Sequence, residues 1–461
     1  MDEFSVAGQQ VVVVGAARSG VAAALLLAAR RARVTLTDLR PALADSGVEA
    51  RLKAAGIVLE LGGHRAETLH GADLIVLSPG VPVRQPLVAA ASAAGVPVVG
   101  EIELASRWLS GRLVAVTGTK GKSTTTTLAG RMFQAGGLKA IVGGNIGAPL
   151  SSQVEASTPE TFHIVEVSSF QLETTHRFHP WIAVLLNFSP DHLDRHANLE
   201  EYAAAKARFF ANQDPRDWAV INADDPQALA LARLGRAKQF LFAVEASPEE
   251  GLVVRAGAIR HRTGQDDFPL IPVSSVRLIG NHLLADVVAA AAVARLAGVS
   301  PDAMVQAVES FTGLEHALEN VADVSGVHFV NDSKATNVEA ARRAIESFDT
   351  GLVVILGGRF KGGDLAQLRE PLASRHASVV AIGEARPLIR ATLEEAAPVR
   401  EAVSLETAVW LAFELARPAG TVLLSPACAS FDMFTDYAER GRAFKQEVKR
   451  LAKEVSGARE Q

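Results

Sequence analysis

The chain has almost no cysteine, no block of like charge and no apolar run long enough to span a membrane. Cys428 is the single cysteine among 461 residues, so no intrachain disulfide can form and a reducing compartment is expected. The longest apolar runs, such as residues 21–29, fall well short of the roughly 20 residues that cross a bilayer. Residues 1–10 are acidic and lack the basic region of a secretory signal. We therefore expect a cytoplasmic protein that makes no membrane contact.

The balance of charge excludes one class of partner. The net charge is −5, and the charged residues are spread along the chain. A general nucleic-acid binder usually presents a basic face, so no nucleic-acid partner is expected. The chain is also too long for a single hydrophobic core, and this length predicts two to four domains.

A strand, a glycine turn and a helix start follow one another at residues 113–127, which read LVAVTGTKGKSTTTT. The backbone N–H groups of a turn such as Gly118 to Gly121, together with a helix N-terminus, bind phosphate oxygens. In this pattern Lys122 reaches the β- and γ-phosphates, and the hydroxyl of Ser123 can bind Mg²⁺. The stretch therefore predicts a nucleoside triphosphate site. The alternative is a glycine-rich turn before a threonine-rich helix.

Four polar residues after this loop each have a functional and a structural interpretation. Glu166 lies in an apolar predicted strand, where a carboxylate needs a partner or a metal ion unless it faces outward from an edge strand. His192 is either a contact to Mg²⁺ or substrate, or a solvated loop histidine. Lys206 taken alone would be a surface lysine. Asn281 is either the N-cap of a predicted helix or a ligand contact.

Alternating strands and helices predict three nucleotide-fold units in series. In the first unit, the turn after residues 11–14 keeps only Gly15 and Gly20 of a dinucleotide fingerprint, and the next strand ends at Asp38. This turn fits another nucleotide's diphosphate, or a simple tight turn, equally well. The predicted fold class is α/β, with Rossmann-like N- and C-terminal domains and a central P-loop-type ATPase domain with a mostly parallel sheet. The predicted domains are residues 1–103, 104–313 and 314–461.

Seven motifs lie in the order that is typical of Mur ligases, and through them the chain resembles this family over nearly its whole length. The motifs are TGTKGKSTTTT, GGNIG, VEVSSFQLE, NFSPDHLDRH, YAAAKARFF, NDSKATN and SPACASFD. The last two are similar to those of the members that add D-glutamate. The resemblance implies that ATP activates the carboxylate of UDP-N-acetylmuramoyl-L-alanine as an acyl phosphate. The amine of D-glutamate then forms the amide, in the cytoplasmic synthesis of peptidoglycan precursors. The first domain would bind UDP, the second ATP and the third the amino acid.

The resemblance also implies four groups of site residues. The contacts to the UDP-muramoyl substrate are Arg18, Ser19, Asp38, Arg40, Gly80, Asn145 and His192. The contacts to ATP are Gly118, Thr119, Lys120, Gly121, Lys122, Ser123, Thr124, Asn281 and Asp332. The contacts to the metal ion are Ser123, Glu166, His192 and Lys206. The contacts to D-glutamate are Thr336, Lys361, Ser430, Phe431 and Tyr437.

Four residues are implied to act in catalysis, namely Lys122, His192, Lys206 and Lys334. Lys206 matches the lysine that family members carry as a carbamate, an anion that can bind Mg²⁺. Lys334 is placed to stabilise the charge of the phosphate or acyl phosphate. The implied cofactors are thus ATP, Mg²⁺ and a carbamylated Lys206. The implied state of the protein is a monomer.

Three features depart from the family pattern. Lys120 replaces an asparagine of the phosphate loop and adds a cation beside the phosphates. The first glycine turn lacks a full G-x-G. Ala317 stands where the family has an arginine that faces the nucleotide. This last change predicts weaker ATP affinity unless Lys120 or Arg359 substitutes for the arginine.

Two other functions fit the glycine loops. One is a different amide ligase, such as a folylpolyglutamate synthase or another Mur ligase, and phosphate release with D- against L-glutamate would separate these. The other is a nucleotide-binding switch without enzymatic activity, which would bind a partner without amino-acid-stimulated ATP consumption. A nucleotide-binding switch does not need this many reactive side chains, so their combination favours a ligase; they are Glu166, His192, Lys206 and Lys361.

Overall fold

The computed structural model describes residues 4–43, 45–189, 198–233, 235–264, 266–278 and 281–457. Its strands form three sheets in chain order, and each sheet is wholly or mainly parallel. The predicted α/β fold class with mostly parallel sheets is confirmed. In the described part of the chain, no helix is both long enough and apolar enough to cross a bilayer.

The first sheet has five parallel strands in the order β3-β2-β1-β4-β5. Its strands are β1 (Gln10–Val14), β2 (Arg33–Asp38), β3 (Val58–Leu61), β4 (Leu74–Leu77) and β5 (Val98–Gly100). Its helices are α1 (Arg18–Ala29), α2 (Ser46–Ala54), α3 (Ala66–His70), α4 (Pro86–Ala93) and α5 (Glu101–Ser106). The strand order reverses between β1 and β4, and ligands of open α/β sheets bind at the carboxyl ends of the strands at such a point.

Helices cover both faces of this sheet, which explains why β1 is a continuous valine run. Val11 and Val13 pack in one core cluster with Leu27 of α1. Val12 and Val14 pack on the opposite face, in a cluster with Leu69 and other residues of the α3–α4 side. A parallel strand that is buried on both faces needs apolar residues at every position. The apolar run thus fixes β1 at the centre of the sheet.

The second sheet has nine strands in the order β14-β13-β12-β11-β10-β9-β6-β8-β7. Its strands are β6 (Arg112–Thr117), β7 (Ala140–Gly144), β8 (Phe162–Glu166), β9 (Ile182–Leu185), β10 (Trp218–Asn222), β11 (Lys238–Ala243), β12 (Glu250–Arg255), β13 (Ala258–Thr263) and β14 (Asp266–Pro272). Its helices are α6 (Lys122–Ala135), α7 (Ser169–Leu172), α8 (Leu199–Ala207), α9 (Pro226–Ala232), α10 (Asn281–Leu296) and α11 (Pro301–Glu309). Strands β12 to β14 are antiparallel neighbours at one edge, whereas the other pairs are parallel.

Strand β8 is shorter than the apolar pattern of residues 162–170 predicts. It ends at Glu166, because Ser168 accepts a hydrogen bond from the N–H of Gln171 and forms a capping box that starts α7. The capping box therefore places Glu166 at the carboxyl end of the strand. This is the edge where the phosphate loop after β6 also lies, since β6 and β8 are parallel neighbours.

The third sheet has six strands in the order β15-β16-β20-β17-β18-β19, and only β15 is antiparallel to its neighbour. Its strands are β15 (Glu319–Val324), β16 (Val327–Asn331), β17 (Leu352–Gly357), β18 (Ser378–Ile382), β19 (Val399–Glu401) and β20 (Thr421–Leu424). Its helices are α12 (Val338–Glu346), α13 (Arg369–Ser374), α14 (Arg386–Leu393), α15 (Leu405–Ala416) and α16 (Tyr437–Gly457). As in the first sheet, apolar clusters lie on both of its faces.

The chain divides into two compact units. One contains residues 1–276 and 284–310 and includes the first two sheets. The other contains residues 277–283 and 311–461 and includes the third sheet. The domain boundaries at 103/104 and 313/314 stay predictions.

Candidate active site

The loop between β6 and α6 has the geometry of a phosphate-binding turn. Gly118 and Gly121 have φ angles of 157° and 84°, values that residues with a Cβ rarely adopt. Gly121 is the N-cap residue of α6, and as a glycine it has no side chain that could cap the helix. The first N–H groups of a helix point toward its N-terminus, and this end of α6 therefore suits an anion. The predicted succession of strand, turn and helix is confirmed.

Asn187, two residues after the end of β9, holds this loop in shape. Its Oδ1 accepts hydrogen bonds from the N–H groups of Thr119 and Lys120, both at 2.9 Å. Its Nδ2 donates to the carbonyl of Lys120 at 3.1 Å. Asn187 is the first residue of the motif NFSPDHLDRH, but no role was predicted for it. The available signal was this motif position, shortly after a buried strand that neighbours the loop strand.

Lys122 lies against the loop that contains it. Its Nζ donates to the carbonyl oxygens of Gly118, at 3.0 Å, and Thr119, at 2.9 Å. These carbonyls point the ammonium group into the turn, where a bound phosphate would provide a stronger, charged acceptor. Lys120, in contrast, has an exposed side chain.

Glu166, Ser123 and Asn145 come together beside the loop. The carboxylate is buried and accepts from the Ser123 hydroxyl at 2.6 Å and from the Asn145 amide at 2.8 Å. Strand β8 pairs with β6 on one side and β7 on the other, so the alternative of an outward-facing glutamate on an edge strand is wrong. Carboxylate and hydroxyl oxygens are ligands that Mg²⁺ prefers. The group therefore fits a magnesium site.

Lys206 on α8 is buried, with only 1% of its surface exposed, so the alternative of a surface lysine is wrong. Its Nζ donates to the carbonyl of Gly118 at 3.1 Å and to the hydroxyl of Thr117 at 3.4 Å. It also lies 4.8 Å from the ring centre of Tyr202. The structure thus places Lys206 at the start of the phosphate loop.

Two predicted residues of this region cannot be placed. His192 lies outside the described residues. Helix α10 begins at Asn281, but the side chain of Asn281 is likewise outside the described part. The predicted contacts of His192 to the metal ion and the substrate, and of Asn281 to ATP, stay predictions.

Asp286 on α10 is a buried acid beside the loop, and it is not among the residues predicted from the sequence. A Cβ added to Gly121 would lie 2.0 Å from the Oδ1 of Asp286. The carboxyl group therefore fits beside this position only because the residue there is glycine. Its Oδ2 has no hydrogen-bond partner. Burial raises the pKa of Asp286 to about 8, and the positive charge of Lys122 opposes this rise only in part. Its sequence signal was a single acid within an alanine- and valine-rich helix.

A cavity of about 400 Å³ lies at the carboxyl end of β1. It is lined by six of the seven predicted contacts to the UDP-muramoyl substrate, namely Arg18, Ser19, Asp38, Arg40, Gly80 and Asn145. Asp38 accepts from the N–H of Ala16 at 2.6 Å and from two guanidinium nitrogens of Arg40, both at 2.9 Å. The hydrogen bond from Arg40 holds the pKa of Asp38 well below its usual range. The cavity thus contains a fixed carboxylate and a helix N-terminus without a side-chain cap.

The two glycines that remain in the first turn are both required by close contacts. A Cβ on Gly20 would lie 1.8 Å from the carbonyl oxygen of Gly15, and one on Gly15 would lie 2.9 Å from Cγ2 of Val81. The hydroxyl of Ser78 donates to the same carbonyl at 2.8 Å. Helix α1 therefore starts directly against the turn, although the full G-x-G pattern is absent.

In the second unit, the predicted residues follow three neighbouring strands. Asp332, Lys334 and Thr336 follow β16, Lys361 follows β17, Ser430 and Phe431 follow β20, and Tyr437 begins α16. Since β16, β20 and β17 are parallel, their carboxyl ends lie at one edge of the sheet. Ser430 is buried there, whereas the ring of Phe431 is 60% exposed. The structure brings these positions to one edge.

Asp332 and Arg440 are the buried charged groups at this edge. Asp332 accepts from the hydroxyl of Ser425 at 2.9 Å and from the N–H of Leu318 at 3.2 Å, and burial raises its pKa to about 7. Arg440 donates to the hydroxyl and carbonyl of Ser333, both at 2.9 Å, and to the carbonyl of Cys428 at 3.1 Å. Arg440 thus joins the segments after β16 and β20. It was missed because a helical arginine has no sequence pattern of its own.

Arg359, one of the two suggested substitutes for the missing arginine, already has a partner. Its guanidinium group donates to both carboxylate oxygens of Glu384, at 2.9 and 3.1 Å. Contact with a nucleotide would have to compete with this two-bond ion pair. Lys120 is therefore the better candidate for a compensating charge.

A separate cluster of metal-ligand residue types is explained by hydrogen bonding. His179, Asp214 and Asp217 have potential ligand atoms within 4.8 Å of one another. However, Asp217 is bound by His179 at 2.6 Å and by the N–H of Asp214 at 2.7 Å, and both oxygens of Asp214 accept from Arg216. Each carboxylate is thus already paired within the protein.

Comparison with protein-family models matches each of the three sheets to one domain type. Residues 9–100 match the N-terminal domain of MurD-like Mur ligases. Residues 116–294 match the Mur ligase middle domain, and residues 316–428 match the glutamate ligase domain of Mur ligases. These three successive matches confirm the predicted three-domain architecture.

Curated relatives extend the likeness over nearly the whole chain. A UDP-N-acetylmuramoylalanine–D-glutamate ligase of Acidobacterium capsulatum is 46% identical over 443 residues, covering 96% of both chains. One of Koribacter versatilis is 43% identical over 451 residues, covering 98% of this chain and 99% of the relative. The solved MurF ligase of Thermotoga maritima in complex with ADP has a TM-score of 0.59 at 17% identity, covering 97% of this chain and 96% of its own. At that identity the structural likeness supports the fold alone.

Proposed function

The chain belongs to the Mur ligase family, and from this premise we propose that it joins D-glutamate to UDP-N-acetylmuramoyl-L-alanine at the expense of ATP. The relatives that are 42–46% identical carry the name of this ligase. The product would be a peptidoglycan precursor, which is made in the cytoplasm.

The position of Asn145 is the observation that carries this proposal. Asn145 lines the cavity at the carboxyl end of β1, where the UDP-muramoyl substrate would bind. Its amide also donates to Glu166, which in turn accepts from Ser123 of the phosphate loop. One side chain therefore links the substrate cavity to the phosphate site. A reaction between a nucleotide-sugar substrate and ATP requires this proximity.

In the proposed reaction, the alanine carboxylate of the substrate attacks the γ-phosphorus of ATP. The bond between the γ-phosphorus and the bridging oxygen breaks, which yields an acyl phosphate and ADP. Lys122 and the N–H groups of the loop would neutralise the charge that develops on the phosphate oxygens. The neutral amine of D-glutamate then attacks the acyl carbon, phosphate leaves, and the amine proton passes to water.

We propose Ser123 and Glu166 as the residues that hold Mg²⁺. Both are oxygen donors, and they lie 2.6 Å apart beside the loop, which supports a shared ligand. Bound Mg²⁺ would supply charge neutralisation at the phosphates. His192 completes the proposed set, although it lies outside the described residues.

For Lys206 we propose the carbamate that the family resemblance implies. The support for this proposal is the position of Lys206, which is buried at the start of the phosphate loop with its Nζ within 3.5 Å of oxygens of Gly118 and Thr117. In carbamate formation the neutral amine adds CO₂ through a new N–C bond and loses a proton, which leaves a carboxylate-like anion on the side chain. Such a group would contribute a further oxygen ligand at the start of the loop.

In the third domain, we propose that Thr336, Lys361, Ser430, Phe431 and Tyr437 bind D-glutamate, and that Asp332 contacts the ribose. The cation of Lys361 suits a side-chain carboxylate, and the buried Ser430 offers a hydroxyl donor. Lys334 has an exposed side chain. We propose that this lysine stabilises the negative charge of the departing phosphate.

The domain limits, location and assembly are part of the same proposal. The matched family domains end at 100, begin at 116 and begin again at 316, which supports boundaries at 103/104 and 313/314. We further propose a monomer in the cytoplasm.

Phosphate release tests the proposed function. Purified protein with ATP, Mg²⁺ and UDP-N-acetylmuramoyl-L-alanine is expected to release phosphate rapidly only after D-glutamate is added, and L-glutamate is the matched control. Equal rates with L-glutamate, or release that does not need the nucleotide sugar, would contradict the proposal. A folylpolyglutamate synthase would instead respond to L-glutamate and a folate.

A further inference from the structure

The buried acid under the phosphate loop is not used by the proposed reaction. Asp286 lies on α10, and its carboxyl group occupies the space beside Gly121, the N-cap residue of α6. It is 4% exposed, and its Oδ2 has no hydrogen-bond partner. By comparison, Glu166, the acid on the other side of the loop, has a partner for each oxygen. The loop therefore carries one satisfied and one unsatisfied acid.

The position of Asp286 conflicts with the ligand that the loop is built to bind. A triphosphate brings several negative charges to the N-terminus of α6, where the first N–H groups lie. A carboxylate beside the same helix end would repel that anion, and because the group is buried, solvent would screen this repulsion only weakly. A neutral carboxyl group would leave the positive end of the helix to the phosphates. The protonation state of Asp286 therefore bears directly on nucleotide affinity.

We propose that Asp286 is a positioning residue of the nucleotide site that must be protonated for ATP to bind, so that ATP binding takes up a proton. This inference rests on the proposed function, since it assumes that the loop binds ATP. It adds to that function a residue and a proton linkage that the reaction itself does not require.

The charged groups around Asp286 agree with this assignment. Lys122 faces it from α6, and its charge favours ionisation, but burial outweighs that effect and raises the pKa of Asp286 to about 8. Lys120, the other cation of the loop, is exposed. Of the remaining titratable groups on α10, Arg295 contacts His261 at the far end of the helix, and the His282 side chain lies outside the described part. Burial thus favours the neutral form of Asp286 around pH 7, and with a pKa of about 8 the ionised form is expected to grow as the pH rises further.

Proton uptake can be measured by calorimetry. A non-hydrolysable ATP analogue with Mg²⁺ is titrated into the protein at pH 8 in two buffers that differ in ionisation enthalpy. The wild type is expected to take up about half a proton per analogue bound, because about half of the Asp286 carboxyls are ionised at that pH. Asp286→Asn, which is isosteric and always neutral, is expected to bind with no such uptake. Uptake that persists in Asp286→Asn would overturn the inference.

Glu101→Gln is the matched control. Glu101 is also buried, its pKa is also raised by burial, and its Oε2 also lacks a partner. However, it lies on α5, and its Oε1 accepts a hydrogen bond from the N–H of Ser151. Its substitution is expected to leave the proton uptake of about one half unchanged. Loss of uptake in Glu101→Gln would show that the linkage does not belong to Asp286, and this result too would overturn the inference.

A measurement on the wild type alone keeps the inference testable if Asp286→Asn fails to fold. The affinity for the analogue is expected to fall about tenfold between pH 7 and pH 9, because only the protonated fraction binds. A flat or rising affinity over this range would contradict the proposed role of Asp286. Failure to bind the analogue at any pH would instead contradict the proposed function, so the two failures are distinguishable.

Discussion

The first two sheets each carry a loop of the same design, but the pKa of the acid beside the loop is shifted in opposite directions. In both, a strand leads through a glycine turn to a helix whose N-cap residue makes no side-chain cap bond. At the first loop, Asp38 is bound by Arg40 and by the N–H of Ala16, and Arg40 holds its pKa well below the usual range. At the second loop, Asp286 has an oxygen without a partner, and burial raises its pKa to about 8.

This difference matches what each loop must bind. The ionised Asp38 is a fixed acceptor that shapes its loop, and the charge of Arg40 keeps it compatible with a diphosphate nearby. Asp286 faces Lys122 rather than an arginine, and burial outweighs the charge of this lysine, so protonation neutralises the acid. A buried acid near a phosphate can thus be neutralised by a paired cation or by a proton. The two choices give opposite responses to pH.

The largest effect is expected at the second loop, where the chemistry would occur. Lys206→Ala should lower kcat at least about a thousandfold, because it removes a proposed metal ligand and with it charge neutralisation in the transition state. Short carboxylic acids are expected to restore part of the activity by taking the place of the carbamate. The measurement is the steady-state phosphate release with and without acetate. Full activity of Lys206→Ala would remove the carbamate from the mechanism.

A smaller effect, confined to one substrate, is expected at the first loop. Asp38→Asn should raise the KM for UDP-N-acetylmuramoyl-L-alanine roughly 10- to 100-fold, since it weakens charge-assisted hydrogen bonds worth about 1.5–3 kcal/mol. The KM for ATP should stay near the wild-type value. Steady-state kinetics with each substrate varied in turn checks this. An equal rise in both KM values would mean that Asp38 supports the fold as a whole rather than the cavity it lines.

The two acids should also change thermal stability in opposite directions. The pKa of Asp286 is higher in the folded than in the unfolded chain, so its destabilising effect is absent below about pH 4, grows up to pH 8 and is then constant. Asp286→Asn should therefore raise the melting temperature at pH 7. The pKa of Asp38 is lowered by folding, so its stabilising effect is present above about pH 4 and is lost as pH falls. Asp38→Asn should lower the melting temperature at pH 7.

Scanning calorimetry of the two variants without ligand, at pH 4 and pH 7, tests this contrast. The expected change for Asp286→Asn is up to a few kcal/mol at pH 7, with little change at pH 4. A lower melting temperature for Asp286→Asn at pH 7 would mean that the carboxyl group makes a contact that the amide cannot reproduce. The opposed pH responses of the two loops would then no longer hold.

The sequence predicted a feature correctly where the chemistry requires particular residue types at a fixed local spacing. The turn with Gly118, Gly121 and Lys122 could be recognised because phosphate binding needs left-handed glycines before a helix. The apolar run of β1 predicted a doubly covered strand, and this was confirmed. The fold class followed from such runs repeated along the chain.

The sequence was less informative where a residue acts through contacts that the fold creates. Asn187, Asp286 and Arg440 are distant in sequence from the segments they contact. Asn187 begins one of the recognised motifs, but the motif does not show which loop its side chain contacts. The burial of Lys206 and the pairing of Glu166 likewise depend on which strands and helices become neighbours. Local spacing specifies residue types, but strand order decides which side chains meet.

The smallest effect concerns an additional positive charge beside the second loop. Lys120 is exposed on this loop, and Ala317 stands where the family resemblance implies an arginine. If Lys120 compensates, Ala317→Arg should lower the KM for ATP only a few-fold, because an exposed additional charge contributes about 1 kcal/mol or less. In a Lys120→Asn background the same change should have a larger effect, since the compensating cation is gone. Equal effects in both backgrounds would mean that Lys120 does not compensate. No effect in either background would mean that this arginine is not needed here.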